Sequence, residues 1–165
     1  MALLVALVAS LNACGGDGGP TTTATAPPPP AATVTVYFSD DAGELVAEER
    51  PAPPGPALDA AMEALAQGPA DPSLVPALPP GTRLLGAGVA DDVATVDLSP
   101  EFESGYPSAG SAAELAVLGP LVRTAAEAAG AGRVRILVEG RAPAPPDSQF
   151  DLSQPLAPAD VAAAG

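Results

Sequence analysis

The sequence predicts a single α+β domain in the order β-α-β-β-α-β, a four-stranded sheet with two helices packed on one of its faces. Three observations predict it. Val34, Val36 and Phe38 recur at strand spacing; Leu58, Ala61, Met62, Leu65 and Ala66 recur at helical spacing; and Val134, Ile136 and Val138 form one face of the clearest strand in the chain. At 165 residues the chain holds one compact domain with tails.

The first strand is predicted over residues 33–39, where the alternation begins. Asp40-Asp41-Ala42-Gly43 supplies turn chemistry, and residues 45–50 can return as a short hairpin arm until Pro51 stops it. Pro56 suits the start of the first helix and Gly68-Pro69 its stop, with Asp59, Glu63 and Gln67 marking the face opposite the apolar one. A Pro-broken loop runs to Gly81. Residues 83–90 and 93–98 then read as two strands joined tightly at Asp91-Asp92.

Ser99-Pro100-Glu101-Phe102 reads as a turn capped by Ser99, and Ser111-Ala112-Ala113-Glu114 has the spacing of a capping box ahead of the second helix. Leu115, Leu118, Val122, Ala125, Ala126 and Ala129 give that helix its apolar stripe. Pro120 lies inside it. An interior proline removes a hydrogen bond and crowds the preceding turn at about 3 kcal/mol, so a kink or two abutting helices are expected. Gly130-Ala131-Gly132 ends the helix, and the last strand follows over residues 133–140. Residues 143–165 are expected to form a loose Pro/Ala-rich tail.

Ahead of the domain, an apolar run from Met1 to Ala9 precedes Ser10-Leu11-Asn12-Ala13-Cys14 and a glycine-rich stretch. The run is too short to cross a bilayer, which needs about 20 residues, and fits the apolar region of an export signal. Leu11-Asn12-Ala13-Cys14 resembles the lipobox of bacterial lipoproteins, with Asn12 a less usual occupant of its place. The resemblance implies a signal peptide over residues 1–13 and lipidation of Cys14, the sole cysteine. Two acyl chains, at about 0.8 kcal/mol per buried methylene, hold a protein to a membrane where one does not. No Lys or Arg precedes Cys14, so a basic segment from an earlier start is expected. Residues 14–32, rich in Gly, Thr and Pro and including Pro27 to Pro30, read as a tether, flexible and then stiffened.

Composition excludes several chemistries. The formal net charge is −14, from 20 acidic and 6 basic residues. That charge repels nucleic acid and anionic headgroups. With no His and one Cys, the chain has no imidazole base, no internal disulfide and no His or Cys metal cluster. No cofactor fingerprint is present.

Carboxylates remain. Asp40, Asp41 and Glu44 are close enough in sequence to suggest a fragment of a calcium loop, but a solvated turn accounts for them, and no metal site is assigned. Asp97, Glu101 and Glu103 are the residues a carboxylate-dependent cell-wall hydrolase would use, the alternative to a binding role. Against it, Glu101 stands where a helix start favours negative charge. Arg133 and Arg135 are expected to point together from the outer sheet face, suited to an anionic partner but solvated by default. For a solute-binding module, a domain of about 110 residues leaves little room for a ligand cavity of ~300 Å³.

Five phrases in order carry a family resemblance: Val34-Thr35-Val36-Tyr37-Phe38, Ala64-Leu65-Ala66-Gln67-Gly68-Pro69, Leu78-Pro79-Pro80-Gly81-Thr82-Arg83-Leu84-Leu85, Val96-Asp97-Leu98-Ser99-Pro100-Glu101-Phe102, and Val134-Arg135-Ile136-Leu137-Val138-Glu139-Gly140. Together they make residues 33–142 resemble the GerMN domain, named from a sporulation and spore germination lipoprotein. Asp151-Leu152-Ser153-Gln154-Pro155-Leu156 is similar to a segment that often follows that domain. Departures are Pro120, where relatives keep an unbroken helix, and Asp92, where a turn Gly is commoner. The resemblance implies a noncatalytic extracytoplasmic binding or scaffold module at the outer face of the cytoplasmic membrane, with an envelope protein or wall component as partner. One copy argues against the tandem spore-former arrangement, and the sensor-kinase partner module of some actinobacterial relatives is not seen.

Overall fold

The computed structural model describes residues 32–107 and 111–162. The predicted signal peptide, Cys14 and the tether up to residue 31 lie outside the described residues. The elements are β1 (Thr33–Ser39), β2 (Leu45–Pro51), α1 (Ala57–Gln67), β3 (Leu84–Ala90), β4 (Val93–Leu98), α2 (Glu101–Ser104), α3 (Ser111–Ala129), β5 (Arg133–Val138) and a closing 3-10 turn, Pro158–Val161.

The class is α+β, but the strands divide between two sheets. One is the antiparallel pair β1-β2; the other has the order β3-β4-β5, with β3 antiparallel and β5 parallel to β4. The expected four-stranded sheet is therefore corrected, and the reason lies at the edges of β1. Along one edge β2 pairs in full register, Thr33 opposite Pro51 through Ser39 opposite Leu45. Along the other, the Tyr37 amide donates to the Thr124 hydroxyl of α3 at 2.9 Å, and the Val75 amide donates to the Ser39 carbonyl at 2.8 Å. No edge of β1 is left for the three-stranded sheet.

Packing follows from the same strand. Val34, Val36 and Phe38 are buried against α1 and α3, which also pack on each other. Helix α1 lies over β3, and α3 over β4 and β5. Ala94, Val96, Leu98, Val134, Ile136 and Val138 supply the sheet side of this core. Burying an aliphatic side chain of this size contributes roughly 1.5–3 kcal/mol.

The turns obey their local chemistry. Asp91 and Asp92 both take positive φ, 49° and 63°, as the two central residues of a type I′ hairpin require. Gly68 at φ 85° ends α1, its amide donating to the Leu65 carbonyl. Helix α3 runs unbroken from Ser111 to Ala129 through Pro120, in place of two abutting helices. Proline here has no N–H to give the Ala116 carbonyl one turn back. Burial of Leu118, Leu121 and Val122 on either side holds the helix together across that gap.

The C-terminal segment is also corrected. Instead of hanging loose, Leu152, Leu156 and Val161 are buried, and Leu156 exchanges two 2.8 Å backbone hydrogen bonds with Val134 on the free side of β5. Apolar side chains at these three places anchor the Pro-rich stretch and contribute part of what offsets its ordering.

Because the Thr124 hydroxyl satisfies a strand amide, replacing it with an isosteric apolar group strands that amide in the interior. Thr124→Val is expected to lower unfolding stability by about 1–3 kcal/mol in urea titrations, and Thr124→Ser by much less. Equal stability of the Val variant and the parent would refute the assignment.

Candidate functional site

A cleft of about 450 Å³ opens where the β1–β2 turn, the outer face of α3 and the closing 3-10 turn meet. Its walls are mainly Leu45, Ala112, Leu115, Ala116, Gly119, Val161 and Ala162, with Ser39 and Glu44 as the polar members. This exceeds the room expected for a domain of this size. The reason is that the cleft is not carved from the core: it is a surface groove bounded by a turn, a helix face and the returning C-terminal segment.

Each wall has a local cause. The turn is held by Asp40, whose Oδ1 accepts the amides of Ala42 and Glu44, both at 2.9 Å. This is an aspartate capping its own reversal, and it accounts for the acidic cluster read in the sequence. Gly119 faces the opposite wall at ordinary contact distance, a Cβ there standing 3.4 Å from the Val161 carbonyl oxygen and 3.9 Å from Leu45 Cδ2. Ala116, one turn before Pro120, lines the same cleft.

Behind the cleft, Glu114 is fully buried and gathers the C-terminal segment. Its carboxylate accepts from Tyr106 Oη at 3.0 Å, Ser148 Oγ at 2.6 Å and the Gln149 amide at 3.0 Å. By these bonds Glu114 reaches across to Ser148 and Gln149, while the side chain of Ser111, the other half of the expected capping box, lies outside what the structure describes. Burial drives the Glu114 pKa upward, but the three donors outweigh it and leave the carboxyl below its usual range. Burial also pushes the Tyr106 hydroxyl well up, keeping it a donor.

The carboxylates considered for catalysis are placed as follows. Asp97 Oδ1 accepts the Gly140 amide at 2.9 Å, pinning the chain just beyond β5. Glu103 Oε1 accepts the Ala144 amide at 3.1 Å. Glu101 sits at the start of α2 against Gly81, with Oε2 buried and unpartnered among the described residues. The expected cap at Ser99 is also corrected: its hydroxyl accepts the Arg83 amide at 3.0 Å. Among the described residues no group of three or more Asp, Glu, His or Cys residues is placed to hold a metal. Arg133 and Arg135 do share the outer face of the three-stranded sheet, and neither has an ion-pair partner among the described residues.

Sequence reading missed two sets of residues. One is the Tyr106-Glu114-Ser148 cluster, which a local Ser-x-x-Glu pattern disguised. The other is the clasp on β2, where Glu48 pairs with Arg50 and accepts the Ala70 and Asp71 amides at 3.1 Å while Arg50 donates to the Gly68 carbonyl at 3.0 Å. A same-face Glu and Arg on a hairpin arm was its only signal.

Comparison with known proteins follows this geometry. The family model described as sporulation and spore germination (Germane) matches residues 35–143. A crystal structure described as that of a candidate lipoprotein from Clostridium perfringens is 26% identical over 77% of this chain and 87% of that one, with a TM-score of 0.54. The first GerMN domain of the sporulation protein GerM from Bacillus subtilis is 21% identical over 67% of this chain and 84% of that one, with a TM-score of 0.54. The tandem GerMN domains of the same protein are 19% identical over 82% of this chain and 49% of that one, with a TM-score of 0.58. No curated protein matches.

A carboxyl held below its usual pKa stabilises the fold above the unfolded-state value and ceases to as pH falls through the folded one. Glu114→Gln is therefore expected to cost about 1–3 kcal/mol near pH 7. The gap from the parent should narrow on acidification as Glu114 itself protonates. Urea midpoints measured from pH 7 down to about pH 3 check this, and a gap that widens on acidification contradicts it.

Proposed function

The chain belongs to the sporulation and spore germination (Germane) family, and from that membership we propose that its domain is a noncatalytic binding module of the bacterial cell envelope. In this reading a lipid on Cys14 holds it to the outer face of the cytoplasmic membrane. Residues 14–32 are the tether, and the cleft beside α3 receives an envelope protein or wall component.

The observation that carries the reading is how the acidic side chains are used. Asp97 and Glu103, which a hydrolase would need free, accept main-chain amides, and Glu114 is sealed in the interior. A catalytic acid or base needs a proton it can exchange with substrate. The cleft, by contrast, offers the mixture of apolar wall and few polar groups that suits recognition. Likeness to a Clostridium perfringens protein described as a candidate lipoprotein agrees with the anchor. Among the described residues no helix is long and apolar enough to cross a membrane.

Two experiments test the proposal. Cys14→Ala is expected to abolish labelling by radioactive palmitate and to release the protein from membranes; persistent labelling refutes the anchor. Ala116→Leu fills the cleft while preserving helix propensity, and is expected to remove the crosslinked species obtained from membranes with the parent chain. Asp59→Asn, on α1 and lining neither the cleft nor the groove beside β3, should leave that species unchanged. If Ala116→Leu folds and crosslinks like the parent, the cleft is not the binding surface.

A further inference from the structure

Four strand edges border solvent or other elements in this domain, and three are occupied or guarded. The second edge of β1 is taken by Thr124 and Val75. The outer edge of β2 carries Glu48, Glu49 and Arg50 and ends in Pro51, the charged and proline-blunted pattern that discourages pairing. The free side of β5 is bridged by Leu156 and by Arg141. The outer edge of β3 has no strand partner among the described residues, and Leu84-Leu85-Gly86-Ala87-Gly88-Val89-Ala90 contains neither charge nor proline.

The groups that edge offers can be read from the hairpin. A two-residue I′ turn makes its flanking residues, Ala90 and Val93, a hydrogen-bonded pair, and antiparallel pairs alternate from there. Gly88 is then bonded to β4, whereas the amides and carbonyls of Ala87 and Val89 face outward. Val89 and Leu85 are about half exposed, at 53% and 52%.

A second observation lies at the start of the strand. Between α1 and β3 runs a groove of about 370 Å³ lined by Glu63, Ala66, Gln67, Thr82, Arg83 and Leu84. Thr82 is 5% exposed, and its hydroxyl has no hydrogen-bond partner among the described residues. A buried hydroxyl without a partner is costly, and Thr82 stands in the wall of the groove that a peptide main chain laid along β3 would enter.

We propose that the β3 edge is a strand-addition site for an extended segment of another protein, aliphatic at its centre and basic at the end that lies beside Asp91. The chemistry of the edge selects an extended main chain, and Val89 and Leu85 select aliphatic neighbours. Charge selects the flanks. Asp91 and Asp92 stand exposed at one end of the strand. A second copy is disfavoured because edge-to-edge pairing would join two chains of net charge −14. This site shares no residue with the cleft, so either reading can fail without the other.

The test uses the full chain, isotopically labelled, with amide hydrogen exchange read residue by residue and a synthetic nine-residue peptide alternating valine with lysine as probe. In the free chain the amides of Ala87 and Val89 should exchange fast and those of Gly88 and Ala90 slowly. Peptide at up to ~1 mM should protect Ala87 and Val89 by about tenfold or more. Val89→Lys, at an exposed position, and Ala87→Pro should each abolish that protection with Gly88 still slow. Thr82→Val, which removes the buried unpaired hydroxyl, should raise the melting temperature and leave the Ala87 and Val89 amides fast in the free chain. Four results overturn the proposal: no protection by the peptide; equal binding of a valine–glutamate peptide; protection in the free chain that grows with protein concentration, which marks a second copy; or protection in the free chain lost on deleting residues 1–31, which marks the chain's own leader.

Discussion

A carboxylate oxygen accepting a main-chain amide recurs at five places where this chain reverses or a loop meets another element. Asp40 closes the β1–β2 turn, Glu48 gathers residues 70 and 71, Asp92 accepts Gly132 before β5, Asp97 accepts Gly140 after it, and Glu114 holds Gln149. Hydrogen bonds to a charged acceptor are worth roughly 1.5–3 kcal/mol, about twice a neutral one. In a domain with only 3% aromatic residues, where few large side chains can staple loops by burial, this is the interaction that fixes loop positions. Part of the acidity of the sequence is thus architectural. It also binds the functional question to the fold, because each carboxylate tied to an amide is one withdrawn from chemistry.

That dependence explains which parts of the structure were legible in sequence. Local periodicity located β1, α1, the β3–β4 hairpin and β5, because each has an apolar face that only one period satisfies: Val34, Val36 and Phe38 cannot share a helix face, and Leu58, Met62 and Leu65 cannot share a strand face. What remained invisible was long range. Nothing near Tyr37 announces that its amide will meet a hydroxyl 87 residues later, yet that bond is why β1 stands outside the larger sheet. Ser111-Ala112-Ala113-Glu114 is indistinguishable locally from a capping box. Its glutamate also meets Ser148 and Gln149, in a segment whose Pro-rich composition reads as loose.

The candidate site divides in the same way. The turn acids Asp40, Asp41 and Glu44 were legible, and so was their role as turn chemistry. The cleft was not, because its walls come from three places distant in sequence, and Pro120 reads only as a break in a helix when taken alone. In the fold the helix continues through Pro120, and the residues just before it, Leu115, Ala116 and Gly119, form one wall of the cleft.

Charge also bears on the one edge that local sequence leaves unguarded. A bare aliphatic edge strand ordinarily invites association, and proteins blunt such edges with lysines, prolines or covering elements. Strand β3 has none of these, but it belongs to a chain of net charge −14 in which three of the six basic residues, Arg50, Arg123 and Arg141, are already in ion pairs. Two such surfaces repel each other over a Debye length of about 8 Å at physiological salt, which spans the roughly 4.8 Å separation of paired strands. The guard therefore acts through the whole surface and not through the strand. A guard of that kind is selective in a way that a lysine on the edge is not: it keeps copies of the chain and other acidic proteins apart, and leaves the edge open to an extended segment that carries positive charge.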